Sequence, residues 1–343
     1  MKIGLIGDMH FKEKLGYSEY VSDRRVGEKA GVLDFIEATF KDHDAVVFMG
    51  DNLNSRNNHS DVIRDFVCFV ERFDPEKTFV LAGNHEKWGD GRSAIDFLKQ
   101  VRRPWKVITD KPEVHKIKGL DCVFLPYMAR VEVGAKTDDE AARKIEAMLP
   151  AGDVLFGHQT ISDINMNDAI DTGMFNEPVL NKDFLKTRYK HIAIGHIHNS
   201  HQEEQILLTG STFTNEVNEL EKFIWTLEFN ELGKKVTAHH LPERAIKKLI
   251  NPTSKEIAAL PSPVILKVEV TKRDVDVEAL KKQIQEKGVD GLIFVEKYFN
   301  ERRQVEAEGD ILEYSTERLL EMYAKNKNID PRLLLEGYDL IRT

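Results

Sequence analysis

Short apolar runs recur along the first two thirds of the chain, at residues 2–6, 45–49, 77–82, 121–125, 153–156 and 191–194. Runs of this length predict buried strands. Helical spacing fills the intervals. Val32, Phe35, Ile36 and Phe40 share one face. Ser60 is placed to cap a helix that turns Val62, Phe66 and Val70 inward. Thr137 and Glu140 form a capping box ahead of Ala142, Ile145 and Leu149. The alternation predicts an α/β sandwich of sheets covered by helices.

From residue 206 the pattern changes. Strand-like segments at 222–229, 234–240 and 244–250 read as a meander that closes the first domain or leads out of it. After Asn251-Pro252 and Pro261-Ser262-Pro263, a strand at 264–270, a helix at 277–284 and a strand at 292–296 predict a small α+β module. Two short helical patterns end the chain. The first carries Leu319, Leu320 and Tyr323. The second opens at Asp330-Pro331 and carries Leu334, Tyr338 and Ile341. The expected domains are therefore 1–250, 251–310 and a helical segment at 311–343.

Composition narrows the class. A length of 343 residues, 41% hydrophobic and 31% charged, suits a globular protein of about two domains. No apolar run is long enough to span a bilayer, so no membrane is expected. The first strand leads directly into candidate chemistry, which a cleavable signal would remove, so a cytoplasmic location is expected. Cys68 and Cys122, far apart in apolar sequence, read as buried reduced thiols. A net charge of −9 argues against a simple basic nucleic-acid coat, but bound cations would reverse the local field at a metal site.

The chemistry gathers in five motifs, each at a strand end: Gly7-Asp8-Met9-His10, Gly50-Asp51-Asn52, Gly83-Asn84-His85-Glu86, Gly157-His158-Gln159 and Gly195-His196-Ile197-His198. Strand ends of open α/β sheets are where ligands gather. Glycine is expected to turn the chain there, and the Asp-x-His and His-x-His pairs are expected on one side of extended segments. Oxygen and imidazole donors without thiolate suit two divalent metals, manganese foremost, with iron, zinc or magnesium as other candidates. Seven donors exceed one open tetrahedral site, so one carboxylate must bridge, and Asp51 stands alone at its strand end. Two such metals roughly 3.5–4 Å apart would clamp a phosphate.

Order and spacing of these motifs resemble the calcineurin-like metallophosphoesterase superfamily over residues 1 to about 230. The resemblance implies a β-sandwich flanked by helices, with Asp8, His10 and His198 on one metal, Asn84, His158 and His196 on the other, Asp51 bridging, and His85 as general acid. Within the superfamily the chain resembles SbcD-type nucleases, especially phage recombination subunits of similar length. That closer likeness is carried by Asp51-Asn52-Leu53-Asn54-Ser55-Arg56, Asp183-Phe184-Leu185-Lys186, Thr209-Gly210-Ser211 and Glu221-Lys222-Phe223.

The closer resemblance implies a DNA exo- or endonuclease in a repair or recombination complex, a small capping domain and a homodimer. It also implies an SbcC-type, SMC-like ATPase partner that receives the C-terminal helix pair. Asn54 stands where such enzymes often carry a histidine that assists His85. Arg24, Arg25, Arg56, Lys87 and Arg92 are candidate contacts to DNA phosphates. Seven further histidines (His43, His59, His115, His191, His201, His239 and His240) read as structural or surface residues. A small-molecule phosphodiesterase or protein phosphatase on the same site is the alternative, and a metal-stabilised scaffold without turnover a third.

Overall fold

A computed structural model describes residues 1–297, except 24, 163–176, 215–218, 220 and 231–232, together with Ala324. The expected C-terminal helix pair therefore lies outside the described residues. Two units divide the chain at Glu296, and the strands and helices described here lie in the first.

The chain runs through β1 (Lys2–Ile6), α1 (Val26–Phe40), β2 (Ala45–Phe48), α2 (Ser60–Val70), β3 (Thr78–Leu81) and β4 (Lys106–Ile108). It continues as β5 (Glu113–Ile117), β6 (Leu120–Leu125), α3 (Asp138–Met148), β7 (Val154–His158), β8 (Thr160–Ile161) and β9 (Val179–Leu180). Next come α4 (Lys182–Arg188), β10 (His191–Gly195), β11 (His201–Glu203), β12 (Ile206–Leu208), β13 (Phe223–Asn230) and β14 (Gly233–His240). The last described elements are β15 (Ala245–Ile250), α5 (Ser254–Ala258), β16 (Val264–Val270), α6 (Val277–Lys287) and β17 (Gly291–Glu296).

Two six-stranded sheets, ordered β14-β13-β1-β2-β3-β4 and β11-β12-β10-β7-β6-β5, face one another. Side-chain alternation assigns the layers. On β1 and β2, Ile3, Leu5, Ala45 and Val47 point between the sheets and meet Phe79, Phe124, Phe156, Ala193 and Leu207. Ile6, Val46 and Phe48 point the other way, onto Val32, Ile36 and Phe40 of α1 and Phe66 and Phe69 of α2. On the far sheet Val123, Leu125, Leu155 and Ile194 pack against Ala142 and Ile145 of α3 and Leu185 of α4. Both faces of each sheet are thus buried, which is why the strands read as continuous apolar runs. The expected sandwich flanked by helices is the observed fold.

Local differences have physical causes. His59, not Ser60, caps α2, accepting from the Asp61 amide. Thr137 caps α3 as expected, but Glu140 turns back to the Lys136 amide, 2.9 Å away. Strands β4, β5, β11 and β12 are short or half-polar and gave no clear run. Cys122 is buried, whereas Cys68 is exposed on α2, opposite the face that holds Phe66 and Val70; both thiols are free.

A three-stranded parallel sheet, β15-β16-β17, has its own core of Leu266, Val268, Val270, Leu280 and Ile284. Its first strand lies before the boundary expected at 250. The opposite face of this sheet places Ile246 and Ile265 on Val21, and Val21 bridges Gly291.

Beside that junction, Arg25 is fully buried. Its guanidinium donates to Glu28, to Glu243 at 2.6 Å and to the Gly16 carbonyl at 2.7 Å. Glu243 also accepts from the Thr214 amide. Arg25 is therefore an internal tie and not a contact for DNA. Arg25→Ala leaves the buried Glu243 carboxylate without its cation, while Glu28 keeps Arg244 at 3.1 Å, and should destabilise the protein by about 3–5 kcal/mol. Urea unfolding measures this; a midpoint equal to wild type would show that the tie contributes nothing.

Candidate metal centre

All five motifs reach one place. β1, β2 and β3 are neighbours in one sheet, β7 and β10 in the other, and their carboxyl ends meet at one rim of the sandwich. The loops beyond them are stitched together. His10 N donates to Asp51 O and Phe11 N to Asn52 O, each at 2.8 Å, while Thr212 N donates to Asp8 O at 3.0 Å. Glu86, wholly buried, accepts from Gly83 N at 2.6 Å and Leu53 N at 2.7 Å. Burial and the neighbouring Asp51 push its carboxyl up to about 8.

The turn chemistry differs from the expectation. The left-handed conformation falls on the functional residues themselves: His10 at φ 44°, Asp51 at 46° and His196 at 82°. Such strain at non-glycine residues marks sites where the surroundings dictate side-chain direction. His10 and His196 thus lie beyond their strands, and loop geometry, not strand alternation, brings them to His198 and Asp8. His158 is the exception, being the last residue of β7 itself. The glycines mainly supply space. A Cβ on Gly83 would stand 2.1 Å from Asp51 Oδ1, and one on Gly7 would stand 1.8 Å from Gly210 O.

Seven predicted donors converge. Asp8, His10 and His198 form one group, Asp51, His158 and His196 another, and His10, Asp51 and His85 a third. His10 Nε2 and His198 Nε2 are 2.8 Å apart. Asn84 Oδ1 lies 3.1 Å from His158 Nε2 and 3.0 Å from His196 Nδ1, with both Asp51 oxygens at the same amide position, 3.1 and 3.3 Å away. Asp51 Oδ2 stands between the groups, 3.5 Å from His158 Nε2 and 3.8 Å from His10 Nε2. Asp8 Oδ2 is buried and has no hydrogen-bond partner among the described residues.

Lone pairs crowded this closely need positive charge among them, and an orphaned buried carboxylate oxygen points to the same need. The donor set therefore fits two divalent cations, one beside Asp8, His10 and His198, the other beside Asn84, His158 and His196, with Asp51 within reach of both.

Electrostatics agree. Burial, followed by the repulsion of Asp51, raises Asp8, though His158 draws it back. Burial would raise Asp51 too, but His158, His10 and His85 outweigh it and hold that carboxyl far below its usual range. Burial drives His10 down to about 3. It would also lower His158, yet Asp51 and Asp8 lift that imidazole to about 10.

His85 stands at the open side, 43% exposed, its Nε2 3.9 Å from Asp51 Oδ2. Its Nδ1 meets the main-chain carbonyl of Asn54 at 2.9 Å. Asn54 thus orients the imidazole through its backbone, while its side chain is on an exposed residue. Arg56 remains beside the site, exposed and bonded to Lys87 O at 3.3 Å. Lys87 itself is buried against Glu132 at 2.7 Å and Thr109 O at 2.6 Å, so it offers nothing to a phosphate. Arg92 is exposed and paired with Asp90. Arg24 lies outside the described residues.

Two carboxylates at the site carry no motif. Glu177 Oε1 is 2.8 Å from His196 Nε2 and also accepts from Thr160, while Tyr127 OH reaches its other oxygen at 3.3 Å. Glu219 Oε1 is 3.1 Å from His198 Nδ1 and is paired with the buried Lys222 at 2.9 Å. Each carboxylate holds the outer nitrogen of a candidate ligand, which fixes the tautomer that leaves the inner nitrogen as donor. Nothing in the local sequence around either glutamate distinguishes it from a surface acid.

A helix-flanked double sheet with an Asp, Asn and His cluster of this kind at its strand ends defines a metal-dependent phosphoesterase. The chain belongs to the calcineurin-like phosphoesterases, whose family model matches residues 1–239. No curated relative matches it. Among solved structures it is similar to an archaeal phosphodiesterase, at 13% identity and a TM-score of 0.33, over 70% of this chain and all of that one. A protein of Streptococcus pneumoniae TIGR4, described as a predicted phosphoesterase, is similar at 12% identity and a TM-score of 0.27, over 69% of this chain and 97% of that one. Neither likeness bears on substrate.

Glu177→Gln should weaken divalent-metal binding by about 10–100-fold, as loss of an outer partner does, with little change in metal-free melting. Titration calorimetry of the metal-stripped protein reads this directly. Unchanged affinity would assign Glu177 a purely structural part.

Proposed function

We propose that the protein is a metal-dependent DNA nuclease, the phosphodiesterase subunit of an SbcCD-type repair or recombination complex. The observation that carries the reading is the contrast between the deep donors and the open acid. Asp8, Asp51 and His158 are sealed in the rim, whereas His85 is 43% exposed, with Ser55, Arg56 and Asn84 lining a shallow depression of about 300 Å³ around it. A small-molecule site usually encloses most of its ligand. A depression open on this side suits one phosphate of a long polymer whose remainder lies along the surface. Arg56 is placed to contact a backbone phosphate there.

The chemistry supplied by two cations, manganese foremost, is Lewis-acid activation of water and of the phosphoryl oxygens. The chain's own work is positional. Asp8, His10, Asp51, Asn84, His158, His196 and His198 hold the charge in place. His85, with Nδ1 anchored on Asn54 O, directs Nε2 inward to protonate the departing oxygen. The SbcC-type ATPase partner and a homodimer belong to the same reading. Both rest on the resemblance, and the ATPase partner also on the apolar residues Leu319, Leu320, Tyr323, Leu334, Tyr338 and Ile341 of the terminal segment, whose structure lies outside the described residues.

Purified protein incubated with labelled linear duplex and single-stranded DNA should cleave DNA in manganese and lose that activity in chelator. Cleavage of a phosphopeptide or free cyclic nucleotide with DNA left intact would overturn the nuclease reading while keeping the phosphoesterase. In the same assay His85→Ala should keep its metals and lose about 10²-fold or more in turnover, whereas Asp51→Ala should lose metal and activity together. Metal content by mass spectrometry separates the two. A His85→Ala protein stripped of metal, with its rate per remaining metal unchanged, would make His85 a ligand and not an acid.

A further inference from the structure

Three residues beyond His85 the chain presents Trp88. Of the three tryptophans, Trp105 and Trp225 are each 8% exposed, but Trp88 is 37% exposed. It sits on a short loop with a rigid base. Lys87 and Ser93 form a bridge, Trp88 N donates to Arg92 O at 3.2 Å, and Ala94 N donates to Glu86 O at 2.8 Å. The buried Lys87 ammonium, fixed on Glu132 and Thr109 O, pins the loop from inside.

Two further features flank the loop. The Arg92 guanidinium lies over the ring, 5.6 Å from its centroid. Val131, 62% exposed, adjoins the loop at Gly89, where a Cβ would be 3.7 Å from its Cγ2. The loop is also joined to the acid side of the site, because Arg56 Nη1 donates to Lys87 O, the carbonyl of the peptide bond leading to Trp88. Three peptide steps limit the Cα separation from His85 to about 11 Å.

An indole left 37% exposed withholds part of its apolar surface from the fold, and a hydrogen-bonded pedestal with Arg56 and the Asp90-paired Arg92 beside it suits a flat, anionic-backed partner. We propose that Trp88 is a stacking platform for an unpaired nucleobase of the strand being cut, with Arg56 and Arg92 placed for the flanking phosphates. This rests on the nuclease reading and adds to it a preference for single-stranded or frayed ends, since a base within a duplex has no free face to offer.

The test uses full-length protein with manganese and a phosphorothioate-linked thymidine oligonucleotide, which resists cleavage. Tryptophan emission should be quenched on binding, because the other two indoles are buried. Trp88→Ala should raise the dissociation constant for this strand by about tenfold or more, read by anisotropy of a labelled copy. Trp88→Phe should retain most of the affinity, and affinity for blunt duplex should change little in either variant. Tight binding by wild type with unchanged emission, or equal affinity in Trp88→Ala, overturns the platform and leaves the nuclease reading intact. Quenching by wild type alone supports it even if Trp88→Ala fails to fold. If wild type binds no DNA, both readings fall.

Discussion

Asp51 is the constraint around which the rim is built. Its carboxylate is buried, negative, and faced by three imidazoles, and it accepts a hydrogen bond from the His85 amide at 2.8 Å. A charge so placed is tolerable only with positive partners held close. The neighbouring geometry follows from that demand. Gly83 must lack a side chain to let the carboxylate in, and Asp51 itself takes a left-handed backbone. The His10 amide is tied to the Asp51 carbonyl, so the first and second strands deliver their loops together.

The sandwich makes this economical in chain length. Three parallel neighbours in one sheet and two in the other end at one rim, so donors spread over nearly 200 residues of sequence meet without any long loop reaching across. Rigidity comes from the double burial of each sheet, which leaves few low-energy ways to shift a strand end. The outer supports are then polar: Glu86 clamps two loop amides, Glu177 and Glu219 hold the far sides of two imidazoles, and Lys222 neutralises Glu219 while donating to Ser211 at 2.7 Å. The outer supports are thus satisfied by the chain itself, whereas the inner donors, Asp8 Oδ2 among them, still call for cations.

Much of this was legible in the residues. The apolar runs determined the strands, because a strand covered on both faces must be apolar throughout. The five glycine-led motifs named the candidate donors that the fold brings together, because their joint occurrence, each after an apolar strand, says more than any one of them alone. The α1, α2 and α3 faces followed from helical spacing. What the sequence left open was decided by three-dimensional proximity. Arg25 and Lys87 look like surface cations until Glu243, Glu132 and Thr109 O arrive from distant segments, with Glu28 from the next turn of chain, to bury them. Glu177 and Glu219 look like surface acids until an imidazole is set beside each. Asn54 acts through a carbonyl that every residue possesses, so its identity carried no signal. The physical reason is common to these cases. Hydrophobic pattern and backbone propensity act over a few residues and are written locally, whereas the sign and worth of a charge depend on what surrounds it, which only the folded chain supplies.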